Sequence, residues 1–397
     1  MKILVVHNFY IEPGGEDQVF RAEAQMLKEN GHDVRTYEEH NSRAKMMGRF
    51  KIAASFIWNK ESASKFGKEL DDFKPDLVHF HNIFLLLSPA VYYECKKRRI
   101  PVVQSLHNSR LICPAARFFR DGHLCMECAA KNFPWPGVQY RCYHHSRLQT
   151  FLVGLMSFWH RQTGTWHKQI DAYIVFSEFY RQVFVKWGLP KEKIVIKPHF
   201  LIKDPGSRPA GTLGEYALFV GRLSADKGIR KLLNTFLRLK DLRLIIIGDG
   251  EERAYVEEFI KKHSCKNIRL LGQLPHLEVM EHIKRSKFVV VPSEVAETFG
   301  LVVLESFACG VPVVASKLGA LPEMVKERGN GRLFMPGNGQ QMIEMILGIC
   351  SDPQKLIALG EQARKTYELR YTKEKNYQQL MDIYKLVMEK YAPQSDH

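Results

Sequence analysis

Ser293-Glu294-Val295-Ala296-Glu297-Thr298-Phe299-Gly300-Leu301-Val302-Val303-Leu304-Glu305-Ser306-Phe307-Ala308-Cys309-Gly310-Val311-Pro312 follows a β-branched run that ends at Val291. A strand, a glycine-bearing loop and then apolar residues at helical spacing form one βα step of a parallel sheet. A helix starting near Gly300 leaves its first backbone N–H groups without intrahelical partners. That end suits a phosphate, and the glycine lets a ligand come close. Glu297 then falls in the loop before the helix and Glu305 inside it, so two carboxylates can reach two different sugars of one ligand.

Upstream, Gly221-Arg222-Leu223-Ser224-Ala225-Asp226-Lys227-Gly228 follows a second apolar run at 216–220. Arg222 and Lys227 are cations on a glycine-bounded loop, placed where a diphosphate would need neutralising. The same pattern extends in both directions. Strands are expected at 2–7, 33–37, 76–80, 101–106, 172–176 and 193–197, and again at 216–220, 243–247, 268–270, 288–291 and 312–315. Helical periods separate them, including an amphipathic helix at 16–30 stopped by Gly31. The Pro-, Gly- and Ser-bearing stretch 203–214 reads as a linker. The predicted fold class is therefore α/β, with two doubly wound, Rossmann-like domains whose sheet edges face a cleft. Boundaries fall at 1–200, with a cysteine-rich insertion at about 108–145, at 201–371, and at a terminal helix in 372–397 that packs back across the junction.

A chain of 397 residues exceeds what one core usually supports, which agrees with two domains. With 45% hydrophobic and 25% charged residues, composition is that of an ordinary globular protein. No apolar stretch is long enough to span a bilayer, and the start of the chain has no signal-peptide pattern, so a cytoplasmic protein is expected. The net charge of +15 is uneven, with 29 Lys/Arg against 19 Asp/Glu in residues 1–200. That field favours anionic partners. Residues 41–70 add seven Lys/Arg against two acids, interleaved with Met46, Met47, Phe50, Ile52, Phe56, Ile57 and Trp58. Such a segment either lies on an anionic membrane surface or packs its apolar face on its own domain.

The loop carrying Gly221, Arg222, Lys227 and Gly228, followed by Glu297 and Glu305 with Ser293, Thr298, Phe299, Gly300 and Gly310-Val311-Pro312, resembles the family-4 glycosyltransferases of the GT-B fold. The resemblance covers nearly the whole chain. It implies a hexosyltransferase-type, retaining enzyme that moves a sugar from a nucleoside-diphosphate sugar to a hydroxyl of a glycan or lipid-linked acceptor in surface polysaccharide synthesis. It implies that Glu305 binds the ribose, Glu297 the transferred sugar, and Arg222 with Lys227 the diphosphate. Gly221, Thr298, Phe299, Gly300 and Leu301 complete the donor contacts. Because cations do what a divalent metal does elsewhere, no catalytic cofactor is expected. In the N-terminal half, the resemblance assigns the donor sugar contact to His107, at the end of the strand 101–106. Gly14 and Gly15 open a helix after the first strand, as a close approach to phosphate or acceptor requires, while Glu16, Asn108 and Arg110 are acceptor-side candidates.

Cys113, Cys125, Cys128 and Cys142 lie outside that pattern. Cys125 and Cys128 have the two-residue spacing of one corner of a structural zinc site, which the outer pair could complete, with His123, His144 and His145 as alternatives. Reduced core or surface thiols with no metal, and redox or disulfide chemistry, are the competing readings. Rival functions are a nucleotide-sugar epimerase of the same fold, which would act without an acceptor, and a non-catalytic nucleic-acid-binding protein. A nicotinamide enzyme is disfavoured because His7-Asn8-Phe9-Tyr10 follows the first strand where three glycines belong. No nucleic-acid motif is present, so nucleic acid is not an expected partner. The sequence does not set the oligomeric state.

Overall fold

A computed structural model describes residues 1–11, 14–46, 55–327 and 329–391. In chain order the strands are β1 (Lys2–Phe9), β2 (Asp33–His40), β3 (Leu77–Asn82), β4 (Val102–Ser105), β5 (Phe119–Arg120), β6 (His123–Leu124), β7 (Ala172–Val175), β8 (Ile194–Ile196), β9 (Tyr216–Val220), β10 (Leu244–Ile247), β11 (Ile268–Gly272), β12 (Ser286–Val291), β13 (Val313–Ser316) and β14 (Gly331–Phe334). The chain divides into two units. One comprises Met1–Phe118, Met126–Pro198 and Lys373–His397; the other comprises Phe119–Cys125 and His199–Thr372.

The first unit holds a parallel six-stranded sheet in the order β2-β1-β3-β4-β7-β8. Its centre reads as continuous hydrophobe because both faces are covered: Ile3 to Val6 and Val102 to Val103 have no exposed surface. β2 lies at the edge, and none of its residues is fully buried. From β1 the chain steps out to β2 and returns to β3 on the other side. The switch of direction therefore falls between β1 and β3. The terminal helix Lys373–Glu389 belongs to this unit, with Leu380, Tyr384 and Val387 fully buried.

In the second unit the order is β11-β10-β9-β12-β13-β14, all parallel. Here the switch lies between β9 and β12. The helix Ile229–Arg238 buries Ile229, Leu232, Leu233 and Phe236, the i, i+3, i+4, i+7 stripe of a core-facing helix, against Phe219, Ile246 and Phe288 of the sheet.

β9 matches the sequence expectation residue for residue, and most other strands shift by one or two positions at an end. Two features were not anticipated. β14 follows Gly329-Asn330, which reads as a turn, and has only four residues; β5 and β6 pair antiparallel as a two-residue hairpin inside the insertion. Both are too short to show a period.

Candidate functional site

In the second unit, the loops that leave β9 and β12 at the switch point are the two stretches singled out above. The Gly221–Gly228 loop is held against the β12 loop by backbone: the Glu294 N–H donates to the Asp226 carbonyl at 2.8 Å. The buried Asp226 carboxylate accepts from Ser224 Oγ at 2.5 Å, which stiffens the turn. Gly228 adopts φ 73°, and a Cβ there would sit 2.0 Å from the Pro292 carbonyl oxygen. Only glycine permits this approach.

That packing brings Lys227 and Glu297 together. Lys227 Nζ donates to Glu297 Oε1 at 2.6 Å, and Ser293 Oγ donates to the same oxygen at 2.6 Å. The backbone of Glu297 is fixed from the far side, where Ala320 N–H donates to its carbonyl at 3.0 Å. Gly300, at φ 114°, is the N-cap of the helix Leu301–Ala308. Thr298 and Leu301 are half-buried beside it. Phe299 is 2% exposed and packs its ring on His199 and Tyr371, so its side chain serves the core and only its backbone could meet a ligand. Arg222 is exposed and has no ion-pair partner among the described residues.

Glu305, half-buried, accepts from His276 Nε2 at 3.0 Å, and this bond raises the imidazole above its ordinary range. Sequence reasoning missed His276; a histidine at the start of the helix His276–Lys284 carries no spacing signal. It also missed Asp226, although that residue sits inside the quoted loop.

In the first unit, His107 is half-buried after β4 and its Nε2 lies 3.0 Å from His81 Nδ1. The two histidines share a cavity with Asn108, Arg110, Phe84 and Tyr92. Gly14 caps the helix Gly15–Glu29 in an extended conformation, and its N–H donates to Asp17 Oδ2 at 2.9 Å. Gly14 and Gly15 thus open a helix after the first strand, as expected, with the Gly14 donor engaged by Asp17. Asn108 Nδ2 is 3.3 Å from Glu16 Oε2. Burial of the Glu16 carboxyl, with Asp17 beside it, pushes it up to about 8.

The cysteines do not gather. Cys113, Cys128 and Cys142 belong to the first unit and Cys125 to the second, and none of the four is in a disulfide. Among the described residues, the sets of three or more metal-ligating groups within 4.8 Å are Glu23, His79, His81 and His7, Glu16, Asp17, neither of which contains a cysteine. The expected four-thiol arrangement is thus not formed. Cys113 and Cys128 are buried as small apolar groups, Cys128 against Gly137 of the short helix Trp135–Gln139.

Much of 41–70 lies outside the described residues, including Met47, Phe50 and Ile52. Phe56 is buried edge-on to Phe84, whereas Trp58 is exposed. No helix among the described residues is long and apolar enough to cross a membrane.

Two doubly wound sheets with a phosphate-type helix terminus at the switch point of the second define the class: a GT-B architecture. The chain matches the Glycosyltransferase Family 4 model over residues 13–201 and the Glycosyl transferases group 1 model over 207–366. It belongs to these glycosyltransferases. It is 32% identical over 169 residues to an uncharacterized glycosyltransferase of Methanocaldococcus jannaschii, covering 43% of this chain and 47% of that one. It is 30% identical to the sulfoquinovosyl transferase of Arabidopsis thaliana over 76% of this chain and 54% of that one. The chain thus spans about half the length of these relatives. Among solved structures, sucrose-phosphate synthase from Thermosynechococcus elongatus superposes with a TM-score of 0.72 at 18% identity, covering 98% and 99% of the two chains. HepE from Anabaena, in complex with UDP, gives 0.69 at 19% over 97% and 100%. Neither the epimerase nor the nucleic-acid reading is favoured by these likenesses.

Proposed function

We propose that the chain is a retaining glycosyltransferase that transfers a hexose from a nucleoside-diphosphate sugar to a hydroxyl of a glycan or lipid-linked acceptor in surface polysaccharide synthesis. The observation that carries this reading is the pairing of Lys227 with Glu297 beside the Gly300 helix terminus, at the switch point between β9 and β12. A nucleotide-sugar is supported by the UDP held by HepE.

In this reading the diphosphate takes Lys227 and Arg222 as its cations and the first N–H groups of Leu301–Ala308 as donors. Lys227 then exchanges Glu297 for phosphate, which releases the carboxylate to the transferred sugar. Glu305 accepts from the ribose hydroxyls. Charge grows on the departing phosphate as the glycosidic bond breaks, so preorganised cations and N–H dipoles there lower the barrier most. The acceptor attacks from the face the phosphate leaves, and that phosphate can take its proton. His107 serves the donor sugar, with Gly15, Glu16, Asn108 and Arg110 on the acceptor side.

Membrane-surface binding by 41–70, at the inner face of the membrane, is part of the proposal. Equal recovery of the protein with neutral and anionic vesicles would remove it. The central test is a thermal-shift panel of nucleoside diphosphates and their sugars, followed by a transfer assay with the stabilising donor. A donor that raises Tm and is consumed only with acceptor is expected. Absence of any nucleotide-dependent shift, or isomerisation without acceptor, overturns the reading.

A further inference from the structure

The helix Arg147–Gln162 of the first unit turns its large apolar residues away from the core. Leu148, Leu152, Leu155 and Trp159 recur at i, i+4, i+7 and i+11, which is one face of a helix, and Phe151 and Phe158 lie beside them. None of the six is buried; Leu148 is 69% and Trp159 54% exposed. The opposite face packs inward, and it is smaller and more polar: Thr150, Val153, Gly154, Met156, Ser157 and His160. That reverses the pattern by which a surface helix buries its apolar side.

The patch extends beyond the helix. At Gly154 the Phe133–Trp135 turn comes so near that a Cβ would sit 2.8 Å from Pro134 Cγ. The Phe133 ring thereby lies 5.5 Å from Phe151 and 5.7 Å from Phe158, and Trp135, 61% exposed, lies 6.3 Å from Phe151. Single exposed hydrophobes need no explanation, whereas a contiguous patch marks an interface.

Charge tells what kind of partner fits. Elsewhere in this unit cations are matched by carboxylates: buried Lys197 donates to Glu23, whose other oxygen lies 3.1 Å from His81 Nε2, and Lys96 pairs with Asp171 at 2.7 Å. Between Glu127 and Asp171 the sequence has no Asp or Glu, while it has Lys131, Arg141, Arg147, Arg161 and Lys168. Lys131, Arg141, Arg147 and Lys168 are exposed and have no carboxylate partner among the described residues. A second copy of the chain paired through this face would set two cationic margins against each other. Anionic lipid complements both features, with headgroups for the cations, an apolar layer for the leucines and phenylalanines, and the boundary between them for the tryptophans.

We propose that the outer face of Arg147–Gln162, with the Phe133–Trp135 turn, docks on an anionic bilayer surface. The inference deepens the membrane part of the proposed function, on which it rests for its partner, by naming a face outside 41–70. The two stretches adjoin, since His160 Nε2 meets the Ile57 carbonyl at 2.9 Å.

The test is co-sedimentation of the full-length protein with phosphatidylcholine vesicles, with and without about one-third phosphatidylglycerol. The wild type is expected to pellet with the anionic vesicles only. Leu148→Ser/Trp159→Ser should lower that partition about 10- to 100-fold, with Tm and the nucleotide-induced Tm shift unchanged because both side chains face solvent. Leu347→Ser, at an exposed leucine of the helix Gly339–Cys350, should bind as the wild type does. Trp135→Leu/Trp159→Leu keeps the face apolar, so it should still bind yet lose most of the fluorescence quenching that brominated phosphatidylglycerol causes in the wild type. Unchanged partition of folded Leu148→Ser/Trp159→Ser, or unchanged quenching in Trp135→Leu/Trp159→Leu, overturns the inference and leaves membrane contact to 41–70. Equal recovery of the wild type with both vesicles overturns this face and 41–70 together. A wild-type dimer in sedimentation that Leu148→Ser/Trp159→Ser makes monomeric would show a second copy covering the face, which also overturns it. The nucleotide-induced Tm shift tests the glycosyltransferase reading apart from all of these.

Discussion

Lys227 and Glu297 are 25 and 16% exposed at their side chains, partly shielded from water yet open to a ligand. Lys227→Ala is expected to lower kcat roughly 10²–10³-fold while Tm moves little, because Ser293 still bonds Glu297. Turnover near that of the wild type in the transfer assay would show that the diphosphate is neutralised elsewhere. Glu16 gives a prediction of different kind. Its folded carboxyl titrates at about 8 against an ordinary value of 4.5, so between those limits the folded state holds a proton that the unfolded chain has lost. Stability contributed below pH 4.5 is therefore lost as pH rises towards 8. Glu16→Gln should abolish that slope, matching the wild type near pH 4 and exceeding it at pH 8, by a few kcal/mol at most. Urea melts at both pH values check this, and parallel pH profiles for the two proteins would refute it. The meeting of Lys227 with Glu297 was legible because both lie at fixed spacing in two loops that the sequence itself marks. Glu23, His81 and Lys197 were not, since they come from a helix, a strand and the segment after another strand, which sequence alone does not bring together.

Elements show where local grammar suffices. β9 and the helix Gly15–Glu29 could be read directly, the first from its apolar run and the second from its apolar period and the glycine beyond it. β14 could not, because Gly331 opens a four-residue strand that pairs only once β13 is in place. The same tertiary dependence governs the joint between the β9 and β12 loops. A methyl on Gly228 cannot coexist with the Pro292 carbonyl 2.0 Å away, and φ 73° adds strain. Gly228→Ala should cost more than about 2 kcal/mol and should reduce the nucleotide-induced Tm shift by parting the two loops. Gly348→Ala is the matched control: it lies in the helix Gly339–Cys350 with open space around it, and should gain about 0.5–1 kcal/mol with the nucleotide shift intact. If both variants behave alike, the loop contact is not what holds the donor site.

At the scale of the molecule, the chain ends in the unit where it began. The sequence expectation was a terminal helix in 372–397 that packs back across the junction; Lys373–Glu389 groups with the first unit. There Leu380, Tyr384 and Val387 are fully buried, the Tyr384 hydroxyl meets His79, and Asn376 binds both Lys197 and the Pro198 carbonyl. Each such apolar side chain contributes about 1.5–3 kcal/mol on burial. Together with Met381 and Ile383 they approach the whole stability of a typical domain, about 5–15 kcal/mol. Lys197 and Glu23 would also lose a wall of their enclosure. Ending the chain at Thr372 should therefore abolish the cooperative melting of the first unit. The second unit, which keeps every residue of the Gly221–Gly228 and Ser293–Glu305 loops, should still show a nucleotide-dependent Tm shift. Calorimetry of the truncated chain with and without a nucleoside diphosphate separates the two units. A first transition that survives truncation would mean the helix is an accessory, and loss of both transitions would mean the second unit also depends on it.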